Sequence, residues 1–371
     1  MNLPHLTARS RVMLFAPHPD DESLAAGVFL QRVVAAGTAV RVVYATDGER
    51  NGWPQRVLER KMRIRDRDRC RWGARRQGEA LAALATLGIG RECVEFLSLP
   101  DQGVTDLLLE GCETTLRRLA DSIGSWHPTH LLMPSPADTH PDHSGLAVLL
   151  EIALADYLPP QPWLARLRYL VHGDSESFAR HAHDLFSSPN EQKLKRRAIV
   201  CHVTQVALSR RRFLSYATRP ERFILGDVDP ASACDRPVRS FVRDRSELRL
   251  QVAFTLKPLR AEGASLCLLG RDACGELRRL RVMLPGRSAK IDLIDCATGA
   301  IASIGRYYGD AFSGEIVLPL DGFAAARALF LKLDRRVWFF DEAGWLEIAP
   351  LATAGAVASP GNLPRRELAV A

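Results

Sequence analysis

The sequence predicts an α/β protein: a Rossmann-like, mostly parallel sheet flanked by helices, followed by a C-terminal all-β, sandwich-like unit. Two observations predict the first part. Short apolar runs of strand length alternate with helix-type segments through residues 10–225. Two of those runs lead directly into turns crowded with His and Asp. The second part is predicted by short runs after residue 240 in which apolar residues recur with period two between turn residues.

The first strand is Arg11-Val12-Met13-Leu14-Phe15, and the turn after it is Ala16-Pro17-His18-Pro19-Asp20-Asp21-Glu22. Residues 23–34 follow with apolar positions at helical spacing. In an open α/β sheet such strand-to-helix turns line the crevice at the carboxyl ends of the strands. Asp20 or Asp21 is also read, more plainly, as a helix cap, with Pro17 and Pro19 shaping the loop. A second corner has the same polarity: the run Thr129 to Met133, then Pro136-Ala137-Asp138-Thr139-His140-Pro141-Asp142-His143, then the helix-like segment 146–154. Two such corners face one crevice and together offer His, Asp and His to one ion, a donor set that suits zinc. No Gly-x-Gly-x-x-Gly follows the first strand, so the corner that would bind a dinucleotide carries candidate ligands instead.

Residues 39–45 read as the second strand, followed by a loop at 46–54 that holds Gly48, Asn51 and Gly52. Residues 75–87 read as a helix ending at Gly88, 94–97 as a short strand and 105–123 as helix. Residues 168–172 read as a strand ending at His172, and 193–209 as one helix. The periodicity changes near 227–234, which places an α/β domain at 1–230 and the β unit at 235–350. Strands are predicted at 248–252, 265–269, 280–284, 290–294 and 329–333. The Ala-, Gly- and Pro-rich tail at 351–371 is expected to be loose.

These motifs resemble those of the PIG-L / LmbE-like zinc-dependent N-deacetylases, which remove acetyl groups from N-acetylglucosamine-type sugars. His-Pro-Asp-Asp-Glu at 18–22 and His-Pro-Asp-His at 140–143 carry the resemblance. Weaker matches are Thr46-Asp47-Gly48-Glu49, Arg76-Gln77-Gly78-Glu79 ahead of Leu87-Gly88, Phe96 to Asp101, and Lys195, Ala198, His202 and Gln205. The resemblance covers about residues 10–225. It implies Zn2+ held by His18, Asp21 and His143, with Asp20 as general base. It further implies that His140 stabilises the oxyanion or protonates the amine, and that the Asp142 carboxylate sets the orientation and charge of His140. Glu49, Arg76 and Asp101 match sugar-contacting positions. His172, at the end of a predicted strand on the same side of the sheet, is a further candidate for the pocket.

The 371 residues are 47% apolar and 25% charged, the composition of a soluble globular chain. No apolar run has the length that spans a bilayer, and the start of the sequence does not read as a secretory signal. Eight scattered cysteines without a Cys-x-x-Cys pair suggest reduced thiols, hence a cytoplasmic protein, with the inner face of the membrane as a peripheral alternative. Much of the net charge of +7 lies in residues 56–76. That stretch reads as a solvated arginine-rich helix or loop, or as a basic lip for an anionic partner, a phosphorylated glycan or an anionic membrane surface. No nucleic-acid module is recognisable.

Three functions follow. The first is a zinc-dependent deacetylase of an N-acetylated sugar in a glycoconjugate or glycolipid. The second is a related amidase acting on a thiol conjugate or an acylated antibiotic, and the third a glycan-binding protein with a dead site. The intact set His18, Asp20, Asp21, His140 and His143 argues against the third. For the β unit, glycan binding and a structural or dimerising role both stand.

Overall fold

The computed structural model describes residues 6–173, 176–226, 237–254, 264–337 and 339–351, with the backbone alone for residues 176, 177, 336 and 337. Strands β1 (Arg11–Ala16), β2 (Ala39–Thr46), β3 (Val94–Leu99), β4 (His130–Pro134) and β5 (Ala165–Tyr169) pair in parallel. β6 (His183–Leu185) and β7 (Glu221–Leu225) add an antiparallel edge, and the order is β3-β2-β1-β4-β5-β7-β6. Both faces are covered, which is why the strands read as unbroken apolar runs. Val12 and Leu14 enter one core and Met13 and Phe15 the other, as strand alternation requires.

Helices α1 (Asp21–Ala35), α2 (Gly52–Glu59), α3 (Asp66–Thr86), α4 (Val104–Glu110), α5 (Glu113–Trp126), α6 (Pro141–Asp156), α7 (Glu176–His181), α8 (Pro189–Cys201) and α9 (Val203–Ser215) follow in chain order. Residues of α1, α3 and α8 fill the core on one face of the sheet, and those of α4, α5 and α6 the core on the other. The strand order reverses between β1 and β4, so the crevice at their carboxyl ends is the topological switch point where ligands of such sheets bind.

The C-terminal strands are β8 (Val238–Arg243), β9 (Glu247–Ala253), β10 (Ser265–Arg271), β11 (Leu277–Met283), β12 (Ala289–Asp295), β13 (Ile301–Gly309), β14 (Ser313–Pro319), β15 (Leu329–Asp334), β16 (Arg336–Val337), β17 (Phe340–Asp341) and β18 (Leu346–Ile348). Nine of them form one antiparallel sheet in the order β18-β15-β10-β11-β12-β13-β14-β9-β8, and β16 and β17 form a small hairpin. One face encloses a core of its own. From the other, Cys267, Leu269, Leu277, Phe330 and Trp345 join the core of α4, α5 and α6. That double cover explains why α6 is buried on nearly every side.

Several predicted elements differ from the structure. The helix predicted at 105–123 is two helices, because Gly111 (φ +153) interrupts it. The helix predicted at 193–209 is interrupted at His202 (φ −79, ψ 62), whose buried ring pairs with Glu22 at 2.9 Å. The helix predicted at 75–87 begins nine residues earlier, at Asp66, and takes in much of the arginine-rich stretch. The described cysteines are all free, and no helix is long and apolar enough to cross a membrane among the described residues. The change of periodicity predicted at 227–234 and the tail from 352 lie outside the described residues.

Helix α1 is broken at Ala26 (φ −136, ψ 16). Lys195 Nζ donates to the freed Leu24 carbonyl at 2.9 Å, and the Glu221 carboxylate accepts the Val28 and Phe29 amides at 2.6 and 2.8 Å. Lys195 and Glu221 pair at 2.7 Å with side chains only 1% exposed. Substituting one partner leaves the other charge buried without compensation, so Lys195→Met is expected to cost about 3–5 kcal/mol. Urea unfolding of the variant beside the wild type measures this; a loss below about 1 kcal/mol contradicts the structural role given to the pair.

Candidate metal and catalytic site

The two corners bring three donor atoms together. His18 Nδ1 lies 3.1 Å from His143 Nε2, and both lie 3.2–3.3 Å from Asp21 Oδ2. A tetrahedral zinc with N and O ligands at about 2.0–2.2 Å holds its donors roughly 3.3–3.5 Å apart, so the triangle has nearly the size of one face of such a site. The remaining atoms of these side chains are engaged behind it. His143 Nδ1 donates to Asp138 Oδ2 at 3.0 Å. His18 Nε2 faces Asp142 Oδ2 and Asp101 Oδ1, each at 3.3 Å. Carboxylates can only accept from those ring nitrogens, so each neutral imidazole turns a lone pair toward the other and toward the Asp21 oxygen. Either a proton or a cation must sit between them.

The charge balance says the same. Asp20, Asp21, Asp101, Asp138 and Asp142 are all buried, and the permanent cation in ion-pair contact with this group is Arg76, at 3.3 Å from Asp20, among the described residues. Burial alone lowers His18 and His143, but the carboxylates around them outweigh it; His18 is raised well above its ordinary value and His143 is pushed up to about 9. The residues therefore fit a divalent cation: a carboxylate and two imidazoles, second-layer carboxylates that fix both tautomers, and excess negative charge. His140 and His172 extend the cluster, in the groups His18, His140, His143 and Asp21, His143, His172, whose ligand atoms lie within 4.8 Å of one another.

Asp20 stands beside this triangle. Burial raises its carboxyl above the ordinary value, while Arg76 pulls the other way. Arg76 is itself buried and donates to the Gly48 and Pro19 carbonyls at 3.0 and 3.3 Å, so it ties the loops after β1 and β2 together as well as lining the cavity. Gly48 (φ +64) leaves it room; a Cβ there would lie 1.7 Å from the guanidinium. Glu49 accepts the Asp101 amide at 3.1 Å and Asp101 accepts the Arg50 amide at 2.6 Å, which couples the two loops on that side. Of the weaker motif positions, Lys195 sits in the break of α1, His202 on Glu22, and Gln205 on Asn51 at 2.9 Å.

His140 caps α6, and its Nδ1 accepts the Asp142 amide at 3.2 Å, which leaves Nε2–H for the cavity. Burial first, then the neighbouring His18, His143 and His172, lower its pKa well below the ordinary value. The Asp142 carboxylate is turned away from that ring: it accepts the Gln102 and Val104 amides at 2.6 and 3.1 Å and faces His18. His172 lies in the turn after β5 and does not end the strand. The Asp138 carboxylate takes the amides of Val171 and His172 at 3.1 Å, which diverts them from the ladder after Tyr169. The His172 ring stands 4.8 Å from His143 and 5.4 Å from His140, and burial holds its pKa down at about 4.

Sequence reasoning missed Asp138. It is buried and bonds His143 Nδ1, the His140 amide and the turn of His172 at once. Its one sequence signal is its position two residues before His140, where an Asp reads as an ordinary turn residue.

A family model described as PIG-L, GlcNAc-PI de-N-acetylase, matches residues 13–154, a range that contains both corners. A similar curated protein is the 1D-myo-inositol 2-acetamido-2-deoxy-alpha-D-glucopyranoside deacetylase of Mycobacterium avium, 36% identical over 88 residues, which are 22% of this chain and 27% of that protein. The chain thus spans about a quarter of the length of the curated relatives it matches. Among solved structures, the N,N'-diacetylchitobiose deacetylase of Pyrococcus horikoshii is 18% identical with a TM-score of 0.45, covering 58% of this chain and 84% of that one. A zinc-inhibited form of teicoplanin deacetylase Orf2 is 15% identical with a TM-score of 0.43, covering 59% and 100%. Residues 13–154 are thus similar to the PIG-L family, and the similarity takes in both corners.

Two outcomes are expected at this site. Asp138→Asn keeps the shape but loses the charge behind His143, and its affinity for zinc should fall about 10–100-fold in a chelator-competition titration. Unchanged affinity contradicts the role given to Asp138. Metal binding must also displace the proton that His143 holds up to about pH 9. Zinc affinity should therefore rise with pH through the neutral range, by about tenfold per unit for each proton released, and a flat profile from pH 6 to 8 contradicts that displacement.

Proposed function

We propose that the protein is a zinc-dependent N-deacetylase that hydrolyses the acetamide of an N-acetylated, GlcNAc-type amino sugar in a glycoconjugate or glycolipid and releases acetate. The observation that carries this reading is the convergence of His18 Nδ1, Asp21 Oδ2 and His143 Nε2 beside a cavity that His18, Asp20 and Asp21 line. In this reading His18, Asp21 and His143 are the metal ligands. Zinc held there would polarise the amide carbonyl and lower the pKa of a water molecule.

The chain's own groups complete the chemistry. Asp20 takes a proton from the attacking water; its raised pKa suits it to hold that proton and then return it. His140 presents Nε2–H, fixed by the Asp142 amide on its other nitrogen, to the negative charge that develops on the carbonyl oxygen. The C–N bond breaks as Asp20 returns its proton to the departing amine, leaving acetate and the free amino sugar. Glu49, Asp101, Arg76 and His172 line the cavity and complete its polar wall.

The cavity, of about 690 Å³, is far larger than an acetamide. Arg50, Arg56, Arg69 and Arg212 line it and have no carboxylate ion-pair partner among the described residues. Other basic residues of the same stretch are paired: Lys61 with Asp68, Arg71 with Glu59 and Asp68, and Arg75 with Glu79. That contrast supports an anionic substituent on the substrate, such as a phosphate on the glycan or its lipid carrier.

Acetate release from a panel of neutral and phosphorylated N-acetylated sugars, with zinc and after chelation, tests the reading; no release from any of them by the zinc-loaded chain contradicts it. Adjacent carboxylates should then behave differently. Asp21→Asn is expected to lose zinc and activity together. Asp20→Asn should keep zinc by elemental analysis while its rate falls about 10²–10⁴-fold; near-normal turnover of Asp20→Asn contradicts its role as the base.

A further inference from the structure

We propose that the C-terminal β unit completes the substrate pocket, with Phe340 as an aromatic wall against which the apolar face of the amino-sugar ring stacks. The inference rests on the deacetylase reading above and concerns a residue that lies outside the matched residues 13–154.

The Phe340 ring stands at the site. Its centroid is 5.7 Å from that of His140, edge to face at 80°, and 5.2 Å from that of His172. Phe340 and Phe339 line the same cavity as His18, Asp20 and Asp21. Phe339 is 55% exposed, so the pair lies at the rim and not at a closed end. An acetyl methyl needs a small closed niche, whereas a rim aromatic suits the larger, ring-shaped part of the substrate, whose C–H face packs on a π surface.

The wall is fixed in place. Asp341 N–H donates to the carbonyl of Thr139, the residue before His140, at 2.8 Å. Asp341 is also paired with Lys332 at 2.5 Å, both buried. Gly344 lies so close to the turn before His140 that a Cβ would be 2.0 Å from the Pro136 carbonyl oxygen and 2.6 Å from that of Asp138. Trp345 is buried in the core shared with α4, α5 and α6. The backbone that carries Phe340 is therefore seated on the turn that carries Asp138 and His140, so the ring is preorganised for a ligand and pays little ordering cost on binding.

The test uses the full zinc-loaded chain and the variants Phe340→Ala and Phe340→Tyr. Phe340 is only partly buried, and Phe340→Tyr keeps the ring. Binding of methyl N-acetyl-β-glucosaminide and of acetate is measured by calorimetry, and KM and kcat are measured for acetyl and butyryl substrates. The glycoside should bind about tenfold more weakly to Phe340→Ala and within twofold of wild type to Phe340→Tyr, with acetate binding unchanged. Turnover should show the loss in KM, with kcat nearly preserved. Equal glycoside binding by wild type and Phe340→Ala, no glycoside binding by the wild type, or a change confined to the acetyl-to-butyryl preference overturns the inference. If the binding difference is found but no acetate is released from any sugar, the deacetylase reading fails and the aromatic wall stands.

Discussion

Three lone pairs that face one another across about 3 Å are the constraint on which this structure depends. His18, Asp21 and His143 cannot hold that arrangement without positive charge between them. The fold supplies the position: β1 and β4 are neighbours although 113 residues separate the end of one from the start of the other, and the turns after them open into the same crevice. The carboxylates behind these three side chains make the demand stronger. Asp101, Asp138 and Asp142 each also bind backbone amides of a neighbouring loop. The groups that orient the imidazoles therefore hold the loops of the pocket as well, and charge and loop geometry are set together.

The same loops also meet the second sheet. The turn that carries Asp138 and His140 is bonded from beneath by its own carboxylate and from above by the backbone at Asp341. The shared core of α4, α5 and α6 with Cys267, Phe330 and Trp345 fixes that approach. The β unit thus meets the turn of His140 through a backbone hydrogen bond as well as through side-chain packing.

Much of this was legible in the sequence. Residues 11–15, 39–45 and 131–133 lie in β1, β2 and β4, because strands buried on both faces carry unbroken apolar runs. His18, Asp20, Asp21, His140 and His143 were legible because they are dense, and each follows such a run. The helix break at His202 was not, because neither Pro nor Gly marks it and the cause is a buried pair with Glu22, 180 residues away. β8 and β13 were missed because half-exposed strands carry Arg, Ser and Gly that dilute the period of two. The start of α3 was missed because its exposed first turns are stabilised by charge pairs such as Lys61 with Asp68, which leave no apolar period. Asp138 and Phe340 matter through contacts made only after folding, and no local pattern announces either.

His18, Asp21 and His143 are expected to hold one zinc ion together at the switch point of the sheet. X-ray absorption at the zinc edge of the protein loaded with one equivalent tests it most directly. The expected result is a low-coordinate shell of nitrogen and oxygen at about 2.0–2.1 Å with the multiple-scattering signature of two imidazoles and no sulfur. A sulfur shell at about 2.3 Å, or a shell with no imidazole, would contradict it.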